Sequence, residues 1–196
     1  MLNVAVLCSK RAPGLATLRE RIEIACVLDR IPPRGGDRNA FDAETADLLR
    51  AYGADVVVLL GYLFVITDPL LNAFPDHILN VHDADLALRN ADGSPRYPGL
   101  HATRDAIVAG ERETRSSVHL VTPQLDAGPV IARSNAYPVA PFVHEAVARG
   151  EHDIVRAYAY AQREWMMRSS WGELAFKRSS ASRRGGRPHE AHRSRC

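Results

Sequence analysis

Short apolar segments of strand length alternate with segments of helical spacing along most of the chain. Asp55–Leu60 (DVVVLL) is the clearest strand, because it is β-branched, apolar on both faces and followed by Gly61. A buried strand of a parallel sheet has this continuous apolar pattern. Five further segments predict strands in the same way: Leu2–Leu7, Ile22–Leu28, His77–His82, Ser117–Val121 and Pro129–Ala132.

Apolar residues at helical spacing predict the helices between and after these strands. One helix is predicted to start at Thr67-Asp68-Pro69, where a capping residue precedes a proline in the first turn. The connection between the first two strands is short for a strand-helix-strand crossover, which usually needs about 10–12 residues. The spacing gives three longer helices: Ala40–Tyr52, His101–Ala109 and Asp153–Trp171.

This order of elements predicts an α/β domain over residues 1–176, built on an open, mostly parallel twisted sheet with helices on both faces. In such Rossmann-type sheets, ligands bind outside the carboxyl ends of the strands. Asn80 and His82 lie at one such end, and Gly61-Tyr62 follows another. The polar pair is therefore a candidate functional site.

The formal charge of +2 is distributed unevenly along the chain. Residues 177–196 contain seven basic residues and one acid, and subtracting these from 25 and 23 leaves 18 basic and 22 acidic residues elsewhere. The body therefore lacks the positive balance of a nucleic-acid-binding domain, so nucleic acid is an expected partner only through the tail. Its Ser, Arg and Gly content predicts a basic, disordered tail over 177–196.

Cysteine content and hydropathy predict a cytoplasmic protein with no membrane contact. No apolar run approaches the roughly 20 residues that cross a bilayer, and the N-terminus lacks the regions of a signal peptide. Cys8 and Cys26 lie inside apolar runs, Cys196 ends the chain, and none has zinc-site spacing. Buried, reduced thiols are expected.

Asn80, His82 and Asp126 together suit acyl transfer. An Asn amide can stabilise a developing oxyanion, a His can move a proton, and a carboxylate can orient that imidazole. Without a Ser or Cys nucleophile, such a trio fits direct transfer to an amine of the substrate. Each residue also has a structural interpretation, since a strand-end residue often bonds to a loop and Asp126 before Ala-Gly-Pro can set a turn.

A resemblance favours the chemical interpretation. It rests on four motifs: Leu79-Asn80-Val81-His82, Tyr97-Pro98-Gly99-Leu100-His101, Ser117-Val118-His119-Leu120-Val121 and Leu125-Asp126-Ala127-Gly128-Pro129-Val130-Ile131. In the order and spacing of these motifs, residues 55–133 resemble the glycinamide ribonucleotide formyltransferase family. The combination is specific, although no single motif would be.

The resemblance implies a formyl transfer from 10-formyltetrahydrofolate, without a metal, to glycinamide ribonucleotide in purine biosynthesis. Asn80, His82 and Asp126 match the catalytic residues of that family. Asn80 would hold the oxyanion, His82 would stabilise it and move protons, and Asp126 would support His82. His119 would line the carrier site, with a packed structural role as its alternative. The pterin pocket would be formed by Tyr62, Leu63, Phe64, Val65 and Ile66.

Three departures from the family pattern concern the amine substrate. The phosphate loop after the first strand is glycine-rich in the family, whereas here it reads Ser9–Gly14 with one late glycine. Lys10 and Arg11 would bind a phosphate there by charge, or would be ordinary solvated residues. The link Asp83–Arg96 is longer and more polar than in the family, and the region between the first and third strands is short.

The expected substrates are small molecules, and the sequence carries no signal for an oligomeric state. Four alternatives stay open at this point. They are transfer to another amine such as an amino sugar, hydrolysis of formyl-folate, a catalytically weak homologue, and a metal hydrolase using His82, His101 and Asp126. No helical HExxH-type pair supports the last of these.

Overall fold

The computed structural model describes residues 2–181, with side chains through residue 176. This part of the chain forms eight strands and six helices, which alternate as far as the fourth helix. The strands are β1 (Val4–Cys8), β2 (Ile24–Asp29), β3 (Val56–Leu59), β4 (Ile78–His82), β5 (Glu113–Thr114), β6 (Ser117–Leu120), β7 (Val130–Arg133) and β8 (Tyr137–Pro138). The helices are α1 (Leu15–Arg19), α2 (Arg38–Ala51), α3 (Asp68–Ala73), α4 (Ala102–Val108), α5 (Pro141–Ala148) and α6 (His152–Ala181).

Six strands form one sheet in the order β2-β1-β3-β4-β6-β7. The first four are parallel to one another, whereas β6 runs antiparallel to both of its neighbours. The predicted open, mostly parallel sheet is therefore confirmed. In the register between β4 and β6, Asn80 lies opposite His119 and His82 opposite Ser117.

Each face of the sheet carries its own apolar core, because successive strand residues point to opposite sides. On one face, Leu18 of α1 and Trp171 of α6 pack with Val58 and Val81. We call this side the α6 face. On the other, called the α2 face, residues of α2 and α3 pack with alternate strand residues and with the segment that follows β3. That cluster includes Leu49, Leu70, Leu7, Val57, Tyr62, Ile66 and Ile78.

The structure adds elements that the sequence pattern did not predict. The short α1 completes the first crossover, which explains how so brief a connection joins two parallel strands. Helix α5 and the two-stranded ribbon of β5 and β8 are also additions. Helix α6 continues to Ala181, beyond the predicted end at Trp171. The predicted tail therefore begins inside a helix, and its residues 182–196 lie outside the described part.

The cysteine prediction holds in part. Cys8 is buried in β1 and Cys26 is half-buried in β2, and both are free thiols. Burial raises the pKa of each thiol, so neither has the thiolate character of a reactive cysteine. Among the described residues, no helix is both long enough and apolar enough to span a membrane.

Helices α1 and α6 approach so closely at Gly172 that a methyl group does not fit. An added Cβ would lie 2.5 Å from Gly14 O and 2.6 Å from the Thr17 Cβ. Without that contact, Gly→Ala inside a helix stabilises by about 1 kcal/mol. With it, overpacking should dominate, and Gly172→Ala should lower the free energy of unfolding by about 1–3 kcal/mol. Urea unfolding measures this directly, and a more stable variant would contradict the contact.

Candidate active site

A cleft of about 410 Å³ opens where β3 and β4 end. The segment after β3, the end of β4, the loop after β6 and one side of α6 form its walls. This is the carboxyl edge of the parallel strands, where ligands of such sheets bind. Asn80, His82 and Asp126 all line this cleft, together with His119. The structure thus brings the three residues predicted from the sequence into one place.

Strand geometry aims Asn80 and His82 in the same direction. They are two residues apart on β4, so both point to one face of the sheet. Leu79 and Val81 point the other way and pack in the core on the α6 face. His119 of β6 lies directly opposite Asn80. Two neighbouring strands therefore present an amide and two imidazoles at one strand end.

Asp126 lies between the two imidazoles. Its carboxylate Oδ2 is 3.7 Å from His82 Nε2, and its Oδ1 is 3.5 Å from His119 Nε2. The Gly99 backbone N–H donates a hydrogen bond of 2.8 Å to Oδ2. The distance to His82 exceeds that of a direct hydrogen bond, and a water or a small closure would complete it. Asp126 can therefore support a charge on His82 without holding its proton.

The backbone around Asp126 is fixed by an unusual conformation. Asp126 has φ of 51°, in the left-handed region that Asp tolerates better than most residues. Gly128 follows, and a Cβ there would collide with the Leu120 carbonyl oxygen. Arg89, from the polar link after β4, donates to the Ala127 and Gly128 carbonyl oxygens at 3.3 and 3.4 Å. The polar link thus fastens the loop that presents Asp126.

The environment of Asp126 favours its ionised form. Burial acts to raise its pKa, but the hydrogen bond with His119, the charge of His82 and the Gly99 N–H outweigh it. Together they hold the pKa of this carboxyl at about 2. A protonated imidazole supplies both the hydrogen-bond donor and the positive charge in these interactions. Asp126 is consequently an anion throughout the physiological range.

This pKa predicts an acid-dependent loss of stability. Because the folded pKa of about 2 lies below the ordinary 3.8, ionised Asp126 stabilises the fold above pH ~4. That contribution is about 2 kcal/mol and disappears as the pH falls through the folded pKa. We expect the stability difference between the parent and Asp126→Asn to shrink by about 1 kcal/mol between pH 5 and pH 3. Urea unfolding at both pH values measures it, and an unchanged difference would contradict the assignment.

His119 fixes the orientation of Asn80. Its Nδ1 lies 2.9 Å from the Leu120 carbonyl oxygen, which only accepts, so Nδ1 carries a proton. In the neutral ring, Nε2 then accepts a hydrogen bond of 3.2 Å from Asn80 Nδ2. One Asn80 N–H is used in this way, and the second remains for the cleft. His119 is thus packed behind Asn80 and also lines the cleft, which combines the two interpretations open from the sequence.

Comparison with known proteins identifies the family. The model of the family described as formyl transferase matches residues 2–154, well over half of the chain. This chain belongs to the formyl transferase family. The match covers the whole central sheet and every residue of the candidate trio.

The curated relatives include phosphoribosylglycinamide formyltransferases and formyltetrahydrofolate deformylases. Phosphoribosylglycinamide formyltransferase of Escherichia coli K12 is 37% identical over 97 residues, which cover 50% of this chain and 42% of that protein. The enzyme of the same name from Haemophilus influenzae is 29% identical over 187 residues, with 81% and 84% coverage. Formyltetrahydrofolate deformylase of Escherichia coli K12 is 29% identical over 140 residues, with 71% and 46% coverage. The chain therefore spans less than half the length of several relatives that it matches.

Solved structures show the same fold. Glycinamide ribonucleotide transformylase 1 from Symbiobacterium toebii is 29% identical, with a TM-score of 0.60 and coverage of 85% of this chain and 86% of that one. Phosphoribosylglycinamide formyltransferase from Streptococcus pneumoniae has a TM-score of 0.66 at 20% identity, with 92% and 99% coverage. The second likeness concerns the fold alone.

The segment predicted as a pterin pocket, Tyr62–Ile66, forms one wall of the cleft. Tyr62 and Ile66 are buried in the core on the α2 face, while Leu63 and Val65 are 49% and 62% exposed. The Val65 carbonyl oxygen accepts a hydrogen bond of 2.6 Å from Arg38 Nη2. Buried anchors at both ends and this bond hold the exposed apolar side chains in place at the cleft.

Of the two basic residues predicted to bind a phosphate, Arg11 uses its side chain for another partner, whereas Lys10 is bonded through its backbone. The Lys10 backbone N–H donates to Asp29 Oδ1 at 2.7 Å, and Lys10 itself has φ of 66°. Arg11 forms a bidentate pair with Glu164 of α6, at 3.2 Å through Nη1 and 3.0 Å through Nη2. Both terminal nitrogens of Arg11 are therefore engaged. A phosphate-binding role for this loop stays a prediction.

Three other cleft residues carried no signal in the sequence. Asp83 follows His82 and pairs with Arg163 of α6, while Trp171, two turns further along that helix, completes the wall. Arg163 and Asp83 are 80 residues apart in the sequence, and only the folded chain brings them together. A helical pattern gives α6 an apolar face but does not reveal which strand end the face meets. Among the described residues, no group of three or more His, Cys, Asp or Glu side chains is arranged to hold a metal ion.

Proposed function

We propose that this chain transfers the formyl group of 10-formyltetrahydrofolate to the amino group of glycinamide ribonucleotide, a step of purine biosynthesis. The observation that carries the proposal is the convergence of Asn80, His82 and Asp126 in one cleft of a formyl transferase fold. Relatives named phosphoribosylglycinamide formyltransferase support the choice of acceptor. Small-molecule substrates and a cytoplasmic location, both expected from the sequence, belong to the same proposal.

Asn80 and His82 act on the formyl carbon. The amine nitrogen adds to this carbon, and the carbonyl oxygen becomes an oxyanion. The free Asn80 N–H donates to that oxyanion, and its position is set in advance by the bond to His119. The bond from the formyl carbon to N10 of the carrier then breaks. The amine loses one proton and N10 gains one, and His82 is placed to move it.

Asp126 supports the charge that develops on His82. A carboxylate 3.7 Å from His82 Nε2 lies where it can offset positive charge that forms on the ring during proton transfer. Its pKa of about 2 means that Asp126 does not take the proton itself. This division leaves His82 as the group that exchanges protons with the substrates.

The carrier binds beside Tyr62–Ile66. Exposed Leu63 and Val65 offer apolar contact to a flat ring, and the backbone between the buried anchors offers hydrogen bonds. Leu100 and Leu125, each more than half exposed, also line the cleft. An apolar slot with a few polar groups is typical of a site for a planar cofactor.

Hydrolysis of the formyl-folate is the second candidate. Relatives named formyltetrahydrofolate deformylase cover 71% of this chain, and the pairing of Arg11 with Glu164 leaves the expected phosphate loop without a free guanidinium. The same oxyanion chemistry would serve if water replaced the amine. The trio alone does not separate the two reactions.

Consumption of 10-formyltetrahydrofolate with and without an amine separates them. We expect turnover that depends on glycinamide ribonucleotide and saturates with its concentration. An amino sugar and glycinamide, tested in parallel, reveal a different acceptor. Turnover at the same rate without any amine would replace the proposal by hydrolysis, and no turnover with any amine would contradict it.

A further inference from the structure

Arg163 brings an unassigned cation into the cleft. It lies on α6, and its side chain is 26% exposed where it lines the cleft. Its Nε donates to Asp83 Oδ2. Asp83 is almost fully buried, and Thr103 Oγ1 donates to the same oxygen at 3.2 Å. Since Asp83 directly follows His82, this pair holds the guanidinium at the edge of the reacting centre.

The terminal nitrogens of Arg163 remain available. Within residues 2–176, the structure gives Nη1 and Nη2 no hydrogen-bond or ion-pair partner. Arg11 differs, because Glu164 occupies both of its terminal nitrogens. A guanidinium fixed through Nε presents its remaining donors in a rigid fork, the geometry that matches phosphate and carboxylate oxygens. Arg163 is thus prepared for an anion.

Strand alternation places Arg163 on the opposite side of the cleft from the pterin segment. Tyr62 and Ile66 pack in the core on the α2 face, and His82 points to that side. Asp83, the next residue, points to the α6 face, where Arg163 meets it. Trp171, which also lines the cleft, belongs to the core on the same α6 face. A carrier bound along Tyr62–Ile66 therefore leaves the Arg163 side to the second substrate.

We propose that Arg163, held by Asp83, binds an anionic oxygen group of the amine acceptor. This inference rests on the proposed function, and it names the acceptor class as an amine that also carries a phosphate or a carboxylate. The guanidinium determines which amine is accepted and how its nitrogen is directed toward the formyl carbon. The formyl chemistry itself stays with Asn80, His82 and Asp126.

Matched pairs of acceptors test the inference. Glycinamide ribonucleotide and its dephosphorylated riboside differ by a phosphate, and glycine and glycinamide differ by a carboxylate. Calorimetric binding without the carrier and KM with the carrier are measured for each. The parent should favour the anionic member of one pair. Arg163→Gln should weaken binding of that member about 10- to 100-fold, leave the neutral member within about twofold, and leave KM for the carrier unchanged.

Three further variants control for folding and charge. Arg163→Lys keeps the charge without the fork and should give an intermediate loss. Asp83→Asn combined with Arg163→Gln removes both members of the pair, so no buried carboxylate is left alone, and it should reproduce the loss. Arg156→Gln is the matched control, because Arg156 is exposed, pairs with Asp153 and lies two turns earlier on the same helix. This variant should bind both members of each acceptor pair as the parent does.

The outcomes separate this inference from the proposed function. A parent that binds the anionic amine through Arg163 and transfers no formyl group supports the inference and contradicts the function. Formyl transfer with equal KM in the parent and Arg163→Gln overturns the inference alone. Three other results also overturn it. They are weaker carrier binding in Arg163→Gln, a parent that binds the anionic and neutral acceptors equally, and weaker binding of the anionic acceptor only in a Lys10→Ala, Arg11→Ala double variant.

Discussion

Replacing His82 by Ala should lower kcat for formyl transfer by about 10²–10⁴, the usual contribution of a positioned general acid or base. Its Nε2 is the imidazole nitrogen that faces both Asp126 Oδ2 and the Tyr97 carbonyl oxygen, at 3.7 and 3.4 Å. Because the amine must lose a proton and N10 must gain one, removal of this ring affects the chemical step. KM for 10-formyltetrahydrofolate should change little, since the pterin segment is untouched.

The pH profile distinguishes this role from a structural one. In the parent, kcat should depend on pH through proton transfer at His82, and His82→Ala should lose that dependence. His77→Ala is the matched control, because His77 precedes the same strand at its other end and is exposed. Unchanged kcat and an unchanged pH profile in His82→Ala would remove His82 from the mechanism.

Asn80→Ala should lower kcat by about 10²–10³, or roughly 2.7–4 kcal/mol, the effect of losing one oxyanion donor. The loss should appear in kcat and in kcat/KM equally, because the oxyanion forms only in the transition state. Steady-state kinetics with both substrates varied measures the two parameters. Asn80→Asp replaces the donor by a negative charge at the same size and should lose at least as much activity.

Exposed Asn72 provides the control for Asn80, since it lies on α3 away from the cleft and Asn72→Ala should be neutral. A rise in KM with unchanged kcat in Asn80→Ala would show that Asn80 binds the ground state and not the oxyanion. In that case the bond between His119 and Asn80 would not contribute to kcat. The free energy of unfolding of each variant is measured as well, because equal values in the variant and the parent exclude loss of folding as the cause.

The central sheet could be predicted from the sequence because its strands are short, apolar and separated by clear turn residues. Val56–Leu59 is buried on both faces, as its continuous β-branched pattern indicated. Helix α1 was missed because five residues are too few to show helical periodicity. Helix α6 extends past Trp171 to Ala181, where polar residues continue the helix after its apolar pattern fades.

Some site residues could be found from neighbouring positions in the sequence, whereas others depend on contacts between distant parts of the chain. Asn80 and His82 share a strand, so period-two alternation was enough to place both on one face. Asp126 came from a family motif, and its left-handed backbone and its bond from Gly99 are visible only in three dimensions. Arg163 was missed because it meets Asp83 across 80 residues, and nothing in a helical pattern specifies that encounter.

The fate of the formyl carbon tests the central claim most directly. Carrier labelled with ¹³C in its formyl group is mixed with a stoichiometric amount of the protein and with glycinamide ribonucleotide, and the label is followed by NMR. The account predicts that the label moves to an amide carbon of the acceptor in the parent, and that it does so about 10²–10⁴ times more slowly with His82→Ala. Label that collects as formate, with the acceptor unchanged, would contradict transfer to the amine.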